Sequence, residues 1–204
     1  MLFEDTYRTI KTPGQGEYKD KGSRFIGYTF RVHDEDQCKI IIQQIKKEHH
    51  QAAHHCFAYV LGFGGEIQKF NDDREPANTA GRPILRAVLS QKLTQTLVVV
   101  VRYFGGKLLG VPGLIQAYEG AAIAALQNSQ TEEVILQEVF EITTSYEHEN
   151  DLFRLIKQFG LRVLAHHHAE NVSLRVSVRK SAADEFLQTI RLNHHLNVKF
   201  MNEV

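Results

Sequence analysis

The sequence has no tryptophan, two cysteines and only four prolines in 204 residues. Cys38 and Cys56 cannot build a disulfide framework and show no CxxC spacing, so both read as thiols in a reducing compartment. An excess of charge of one sign is also missing, because 24 Lys+Arg balance 24 Asp+Glu. Coating of nucleic acid by bulk charge is thereby excluded, and any basic surface has to be local. Long apolar runs are absent too. The longest aliphatic stretch, Leu97 to Val101, is far short of the roughly 20 residues that span a bilayer. Met1 to Lys11 carries Glu4, Asp5 and Arg8 and no long apolar core, which is not the pattern of a signal peptide. These absences predict a cytoplasmic chain with no membrane partner.

What is present is a globular balance, 43% hydrophobic and 24% charged. The length suits one large domain or two small ones. Ser129 to Glu133 interrupts the apolar pattern, which predicts two units, 1–133 and 134–204. In the second unit Val139 to Thr144 alternates as a strand, and Leu152, Phe153, Ile156 and Phe159 recur at helical spacing before Gly160. Leu161 to Ala169 and Val172 to Arg179 read as a hairpin. Ser181 reads as the N-cap of a helix carrying Ala183, Phe186, Leu187 and Ile190, and Leu196 to Phe200 as a last strand. The order βαββαβ is the ferredoxin-like pattern, an α+β fold with both helices on one sheet face. The other face is expected to display Arg175, Arg179, Lys199 and Arg162, with His166 and His168 alongside.

The first unit begins with a strand-like stretch from Glu17 to Val32 and a helix from Asp34 to His49, where Asp34 and Gln37 resemble a capping box. Cys56 to Leu61 and Glu66 to Phe70 read as a hairpin. A helix is expected from Pro83, a buried strand from Leu97 to Phe104, and a small-residue-rich helix from Leu114 to Gln127.

Three stretches carry candidate chemistry. Asn71 to Pro83 is a long turn-rich segment holding Asp72, Asp73, Glu75 and Arg82. Its acids suit a hard cation, and Glu75 suits a base; alternatively they pair with Arg82 and Arg102 to fix the loop. Arg102 to Gly113 leaves a buried strand and enters a helix, with Gly105, Gly106, Gly110 and Gly113 permitting close backbone approach and Arg102 and Lys107 adding charge. That is a candidate anion or nucleic-acid site, although neither a Walker A nor a GxGxxG motif is present. Histidine is the third. His49, His50, His54, His55, His166 to His168, His194 and His195 make up most of the 11 histidines, without HExxH or a Cys/His zinc pattern. They read as surface or packing residues, so no metal and no cofactor is expected.

Glu75-Pro76, Thr79 to Leu85, Val98 to Gly106, Leu109-Gly110, Gly113-Leu114 and Ala117-Tyr118 form separated blocks, preceded by Lys21, Ser23 to Ile26 and Ala53 to Tyr59. Together they resemble the IMPACT/YigZ family over nearly the whole chain. The resemblance implies a ribosomal protein S5 domain 2-like first domain and a ferredoxin-like second domain similar to the last domains of elongation factor G. It implies a non-enzymatic binding protein linked to regulation of translation, with RNA or the ribosome as partner, and it supplies no catalytic residue. The alternatives are a small-molecule phosphate-binding enzyme and a protein-interaction module with a partner in translation. The chain departs from the family pattern at Arg74 and Asn78, where glycine is favoured, at Pro112, usually glycine, and at Gln116, usually arginine.

Overall fold

Alternating and helical spacings become eleven strands and five α-helices among residues 5–203, which a computed structural model describes. Residues 1–4 of the leading segment discussed above lie outside the described residues. In chain order the elements are β1 (Thr6–Thr12), β2 (Gln15–Asp20), β3 (Ser23–Arg31), α1 (Glu35–Glu48), β4 (His54–Leu61), β5 (Ile67–Asn71), α2 (Gly81–Ser90), β6 (Thr96–Tyr103) and α3 (Gly110–Gln127). These are followed by β7 (Gln130–Ile135), β8 (Gln137–Thr144), α4 (Glu149–Phe159), β9 (Arg162–His168), β10 (Val172–Arg179), α5 (Lys180–Arg191) and β11 (Asn197–Glu203). The architecture is mixed α/β with antiparallel sheets. One compact unit is Tyr7–Val134; the other holds the described residues from Ile135 onward together with Asp5 and Thr6.

In the first unit the sheet order is β2-β3-β6-β4-β5, so β6 is central. Its side chains alternate between two cores. Val98 and Val100 pack under α2 and α3, whereas Leu97, Val99 and Val101 meet Cys38, Ile42 and Ile45 of α1. A strand covered on both faces loses the polar half of its alternation, which explains the unbroken apolar run. Helix α3 lies very close to the sheet. A Cβ on Gly27 of β3 would stand 2.5 Å from the Ala121 carbonyl oxygen, so the strand admits no side chain there and the facing helix positions are alanines.

Several sequence-based expectations shift here. Glu17 to Val32 is not one strand but the β2–β3 hairpin, turning at Lys21 (φ 44°) and Gly22 (φ 81°). Two consecutive positive φ angles give the turn whose twist matches a tight hairpin. The expected boundary segment at Ser129 to Glu133 is largely strand β7, paired with β1. Its polarity reflects side-chain bonding: Arg8 donates to Thr131 Oγ1 at 2.9 Å, and Arg31 pairs with Glu132 at 2.7 Å. Helix α2 starts at Gly81 rather than Pro83, and α3 at Gly110 rather than Leu114. At α1, Asp34 Oδ1 accepts from the Gln37 amide at 2.7 Å, while the Gln37 side chain accepts from His33 rather than from Asp34.

In the second unit the sheet order is β11-β8-β10-β9. Phe140 and Ile142 of β8 and Val172, Leu174, Val176 and Val178 of β10 share one core with Leu152 and Leu155 of α4 and with Ala183, Phe186 and Ile190 of α5. Both helices therefore cover the same sheet face. Gly160 ends α4 in the left-handed region at φ 59°. Ser181 is not the N-cap of α5, which begins at Lys180; its amide instead donates to Asp5 Oδ1 at 2.6 Å.

The placement of His166 and His168 is also corrected. They pair with Leu174 and Val172 and so lie on the helix-covered face, not beside Arg175. A bulge between Arg175 and Val176 puts Leu164 out of register, so Arg162, opposite Ser177, stays on the face away from the helices. One extra residue reverses the facing of everything beyond it.

Candidate binding site

Strand register assembles the site. Phe25 of β3 and His54 of β4 are the direct neighbours of Arg102 of β6 on either side. Arg102 follows Val98 and Val100 onto the face beneath α2 and α3, at the end of a strand whose interior is apolar. Glu75 reaches it from the segment between β5 and α2. Glu75 Oε1 accepts from Arg102 Nη1 at 2.5 Å and from Tyr118 Oη of α3 at 2.7 Å, and His54 Nε2 lies 3.6 Å away. The Arg102 and Glu75 side chains are 6% and 4% exposed. The Arg102 guanidinium also sits 5.4 Å from the ring centres of both Phe25 and Phe104. Two aromatic faces and a carboxylate offset the buried charge, while Arg102 Nε is buried without a hydrogen-bond partner.

The acids of the loop do not converge on one point. Asp72 accepts from the amides of Asn78, Ala80 and Gly81 at 2.9, 3.0 and 2.7 Å, which satisfies the start of α2 from a distance. Asp73 Oδ2 accepts from the His55 amide at 2.8 Å. Arg82 is exposed on α2 and pairs with none of these acids among the described residues. The backbone turns through positive φ at Asp73 (40°), Arg74 (72°) and Asn78 (63°), so the two positions where the family pattern favours glycine are left-handed here.

Above the Glu75–Arg102 pair opens a cavity of about 500 Å³. Its floor is Glu75, Arg102 and His54; its walls are Ala53, Pro76, Phe104, Leu108, Leu109, Val111 and Leu114. The segment after β6 forms the rim. Phe104, Leu108 and Val111 are exposed large apolar residues there, Leu108 at 84%, and Lys107 is exposed beside them. Gly105 presses this segment onto the β2–β3 turn: a Cβ there would stand 1.9 Å from the Gly22 carbonyl carbon. The first turn of α3 meets the rim at Gly110 and Val111, bringing N–H groups that have no partner within the helix, and the positive end of the helix dipole, to the mouth.

Tyr118 and Cys56, next to the floor, are held in their protonated forms. Burial pushes the Tyr118 hydroxyl well above its usual range, so it remains a donor to Glu75. Burial likewise raises the Cys56 thiol far above its ordinary value, and its Sγ donates to the Asp72 carbonyl at 3.1 Å. Cys56 is a packed thiol rather than an activated nucleophile. Burial pushes Cys38, on the sheet-facing side of α1, up to about 12. The arrangement suits binding: an apolar slot with a fixed polar base and a mouth anchored at Gly105.

The Impact N-terminal domain matches residues 21–126, and the domain of unknown function DUF1949 matches 142–191. The chain belongs to the IMPACT family. It is 38% identical over 185 residues to the IMPACT family member YvyE of Bacillus subtilis, covering 89% of this chain and 83% of that one. To YigZ of Escherichia coli it is 32% identical over 168 residues, covering 81% and 82%. A solved structure described as a hypothetical protein superposes with a TM-score of 0.68 at 27% identity, over 98% of this chain and 99% of that one.

Within this IMPACT family chain, the candidate residues named from sequence fall into three groups. Glu75 and Arg102 form the floor; Gly105, Gly106, Lys107 and Gly110 form or flank the rim, and Gly113 lies in the first turn of α3. Asp72, Asp73 and Arg82 serve the loop and α2. Arg175, Arg179 and Lys199 belong to the other unit, where Glu141 stands opposite both Arg175 and Lys199 in the sheet. His54 and Tyr118 were not singled out for this site. The parity of Phe25, Arg102 and His54 was the available signal, and it becomes readable only once strand pairing is known.

Proposed function

We propose that this IMPACT family protein binds RNA in the setting of translation, taking an unpaired base into the cavity over Glu75 and Arg102. The observation that carries the reading is the cavity itself. An aromatic side chain and aliphatic walls stand over a fixed polar floor, and Lys107 with the α3 amides waits at the mouth for the adjoining phosphate. Unstacked bases are recognised by aromatic contact together with hydrogen bonds to their edges. Arg102 belongs to the floor in this reading, because its charge is committed to Glu75; the phosphate contact passes to Lys107 and backbone N–H groups. The element and strand orders support assigning the first unit to the S5 domain 2-like fold and the second to the ferredoxin-like fold, both recurrent in translation machinery. The exposed Arg162, Arg179 and Lys199, on the sheet face away from α4 and α5, would offer a second phosphate-contacting surface.

The test is anisotropy of short labelled single-stranded RNA, duplex RNA and mononucleotides, with ribosome co-sedimentation at low and moderate salt. Single strands are expected to bind in preference to duplex, with affinity falling steeply as salt rises. Phe104→Ala removes a stacking partner and weakens binding about tenfold or more. Lys107→Glu weakens all sequences alike and lowers the salt slope by about one. Binding of mononucleotides without RNA would replace this reading with a small phosphorylated ligand. No binding of either, with ribosomes also left free, would favour a protein partner.

A further inference from the structure

The start of α4 gathers histidines from three parts of the second unit. His148 precedes the helix, His166 and His168 sit two apart on β9, and His195 lies just before β11. Two sets of donor atoms result, Glu149–His166–His168 and His148–Asp151–His195, each with its atoms within 4.8 Å of one another.

We propose that Glu149, His166 and His168 bind a divalent transition metal of the zinc, nickel or copper class. On a strand, residues two apart share a face, so a His-x-His pair presents both imidazoles to the same point. Here that point is a carboxylate: His166 Nε2 and His168 Nε2 lie 3.6 and 3.7 Å from Glu149 Oε1. Donors around a tetrahedral zinc stand about 3.3 Å apart, given metal–ligand bonds near 2.0–2.1 Å. A shift of a few tenths of an ångström closes each nitrogen–oxygen gap onto an ion.

Ring geometry chooses between the two sets. An imidazole lone pair lies in its ring plane, so two parallel stacked rings cannot aim at one ion. His148 and His195 are stacked at 3.9 Å with only 11° between planes. His166 and His168 are tilted by 44° at 4.2 Å, so their planes intersect. Aromatic neighbours support this pair: Tyr146 lies against His168 and holds its own hydroxyl on the Ala169 carbonyl at 2.7 Å, and Phe153 meets His166 edge-on. The bulge at Leu164 matters because it turns both histidines towards α4. Imidazole nitrogen with one carboxylate selects transition metals over calcium or magnesium, and three protein donors leave a position for water.

Calorimetric titration of the full chain with zinc chloride, and separately with nickel chloride, at a pH where histidine is neutral tests the site. One equivalent is expected to bind. His166→Ala and His168→Ala should each weaken it about tenfold or more, as should Glu149→Gln, which keeps volume and fold. His195→Ala should leave the affinity unchanged. Cobalt should develop visible d–d absorption that His168→Gln removes. The proposal is overturned by absence of saturable binding to the wild-type chain, by unchanged affinity in correctly folded His168 variants, or by loss of binding in His195→Ala.

Discussion

Arg102 Nη1 and Glu75 Oε1 stand 2.5 Å apart beneath the cavity, and Tyr118 Oη donates to the same carboxylate oxygen at 2.7 Å. A strand, a loop and a helix are tied through one buried atom. The site and the stability of the first unit are therefore the same piece of chemistry.

Glu75→Ala leaves the Arg102 guanidinium buried without its counter-charge. Removing one partner of such a pair costs about 3–5 kcal/mol. Urea unfolding of the variant should show a midpoint lowered accordingly. Glu75→Ala combined with Arg102→Met removes both charges and should recover a large part of that loss. A double variant as unstable as the single one would show that the loop, not the pair, carries the effect.

Arg74 adopts φ 72° and Asn78 φ 63°. The left-handed region costs a residue with a Cβ about 1–2 kcal/mol, and asparagine tolerates it better than arginine. Part of the gain from glycine is lost to its freer unfolded chain. Arg74→Gly is therefore expected to stabilise by about 0.5–1 kcal/mol and Asn78→Gly by less. Thermal unfolding of the two variants ranks them, and a lower melting temperature for Arg74→Gly would show a compensating role for its side chain.

The legible parts of this fold are those where local pattern and tertiary position agree. The Leu97 to Val101 run announced a buried central strand because no solvent-facing position interrupts it. Val172, Leu174, Val176 and Val178 announced a half-buried one by alternation. The hairpin turn at Lys21-Gly22 was hidden because the strand-like composition continues through it, and β7 was hidden because an exposed ribbon needs no apolar residues. A bulge leaves no mark in composition, so the facing of His166 and His168 was read from an uninterrupted period of two. The acidic loop offered both a cation site and a pairing; the structure shows Glu75 on Arg102 and Asp72 on the amides of α2, with Arg82 apart from both. Tyr118 joins from 43 residues further along the chain, a distance at which no spacing rule operates.

Gly105 leaves no room for a side chain. A Cβ would stand 1.9 Å from the Gly22 carbonyl carbon, so Gly105→Ala has to lift the rim off the β2–β3 turn. Overpacking of this kind costs about 1–3 kcal/mol. Because the cavity mouth moves with the rim, the proposed RNA binding entails that the same variant loses more affinity for single-stranded RNA than Lys107→Glu does. Stability and binding that both match the wild type would place the contact outside the rim's support.

His49 supplies a pH dependence whose sign follows from burial. Its Nε2 lies 2.8 Å from Tyr28 Oη and its Nδ1 2.8 Å from Tyr103 Oη, on the α1 side of the sheet. Burial lowers its pKa below the ordinary 6.5, outweighing the opposing pull of Glu48, while His55 and Arg24 add to the lowering. The folded state then binds the proton less readily than the unfolded chain. The contribution of His49 is fully present above about pH 6.5 and is lost as pH falls from there towards the depressed folded value. Chemical denaturation across that window should show stability declining with acidification, and His49→Gln should flatten the slope because glutamine does not titrate. An unchanged slope in His49→Gln would assign the acid sensitivity to another group.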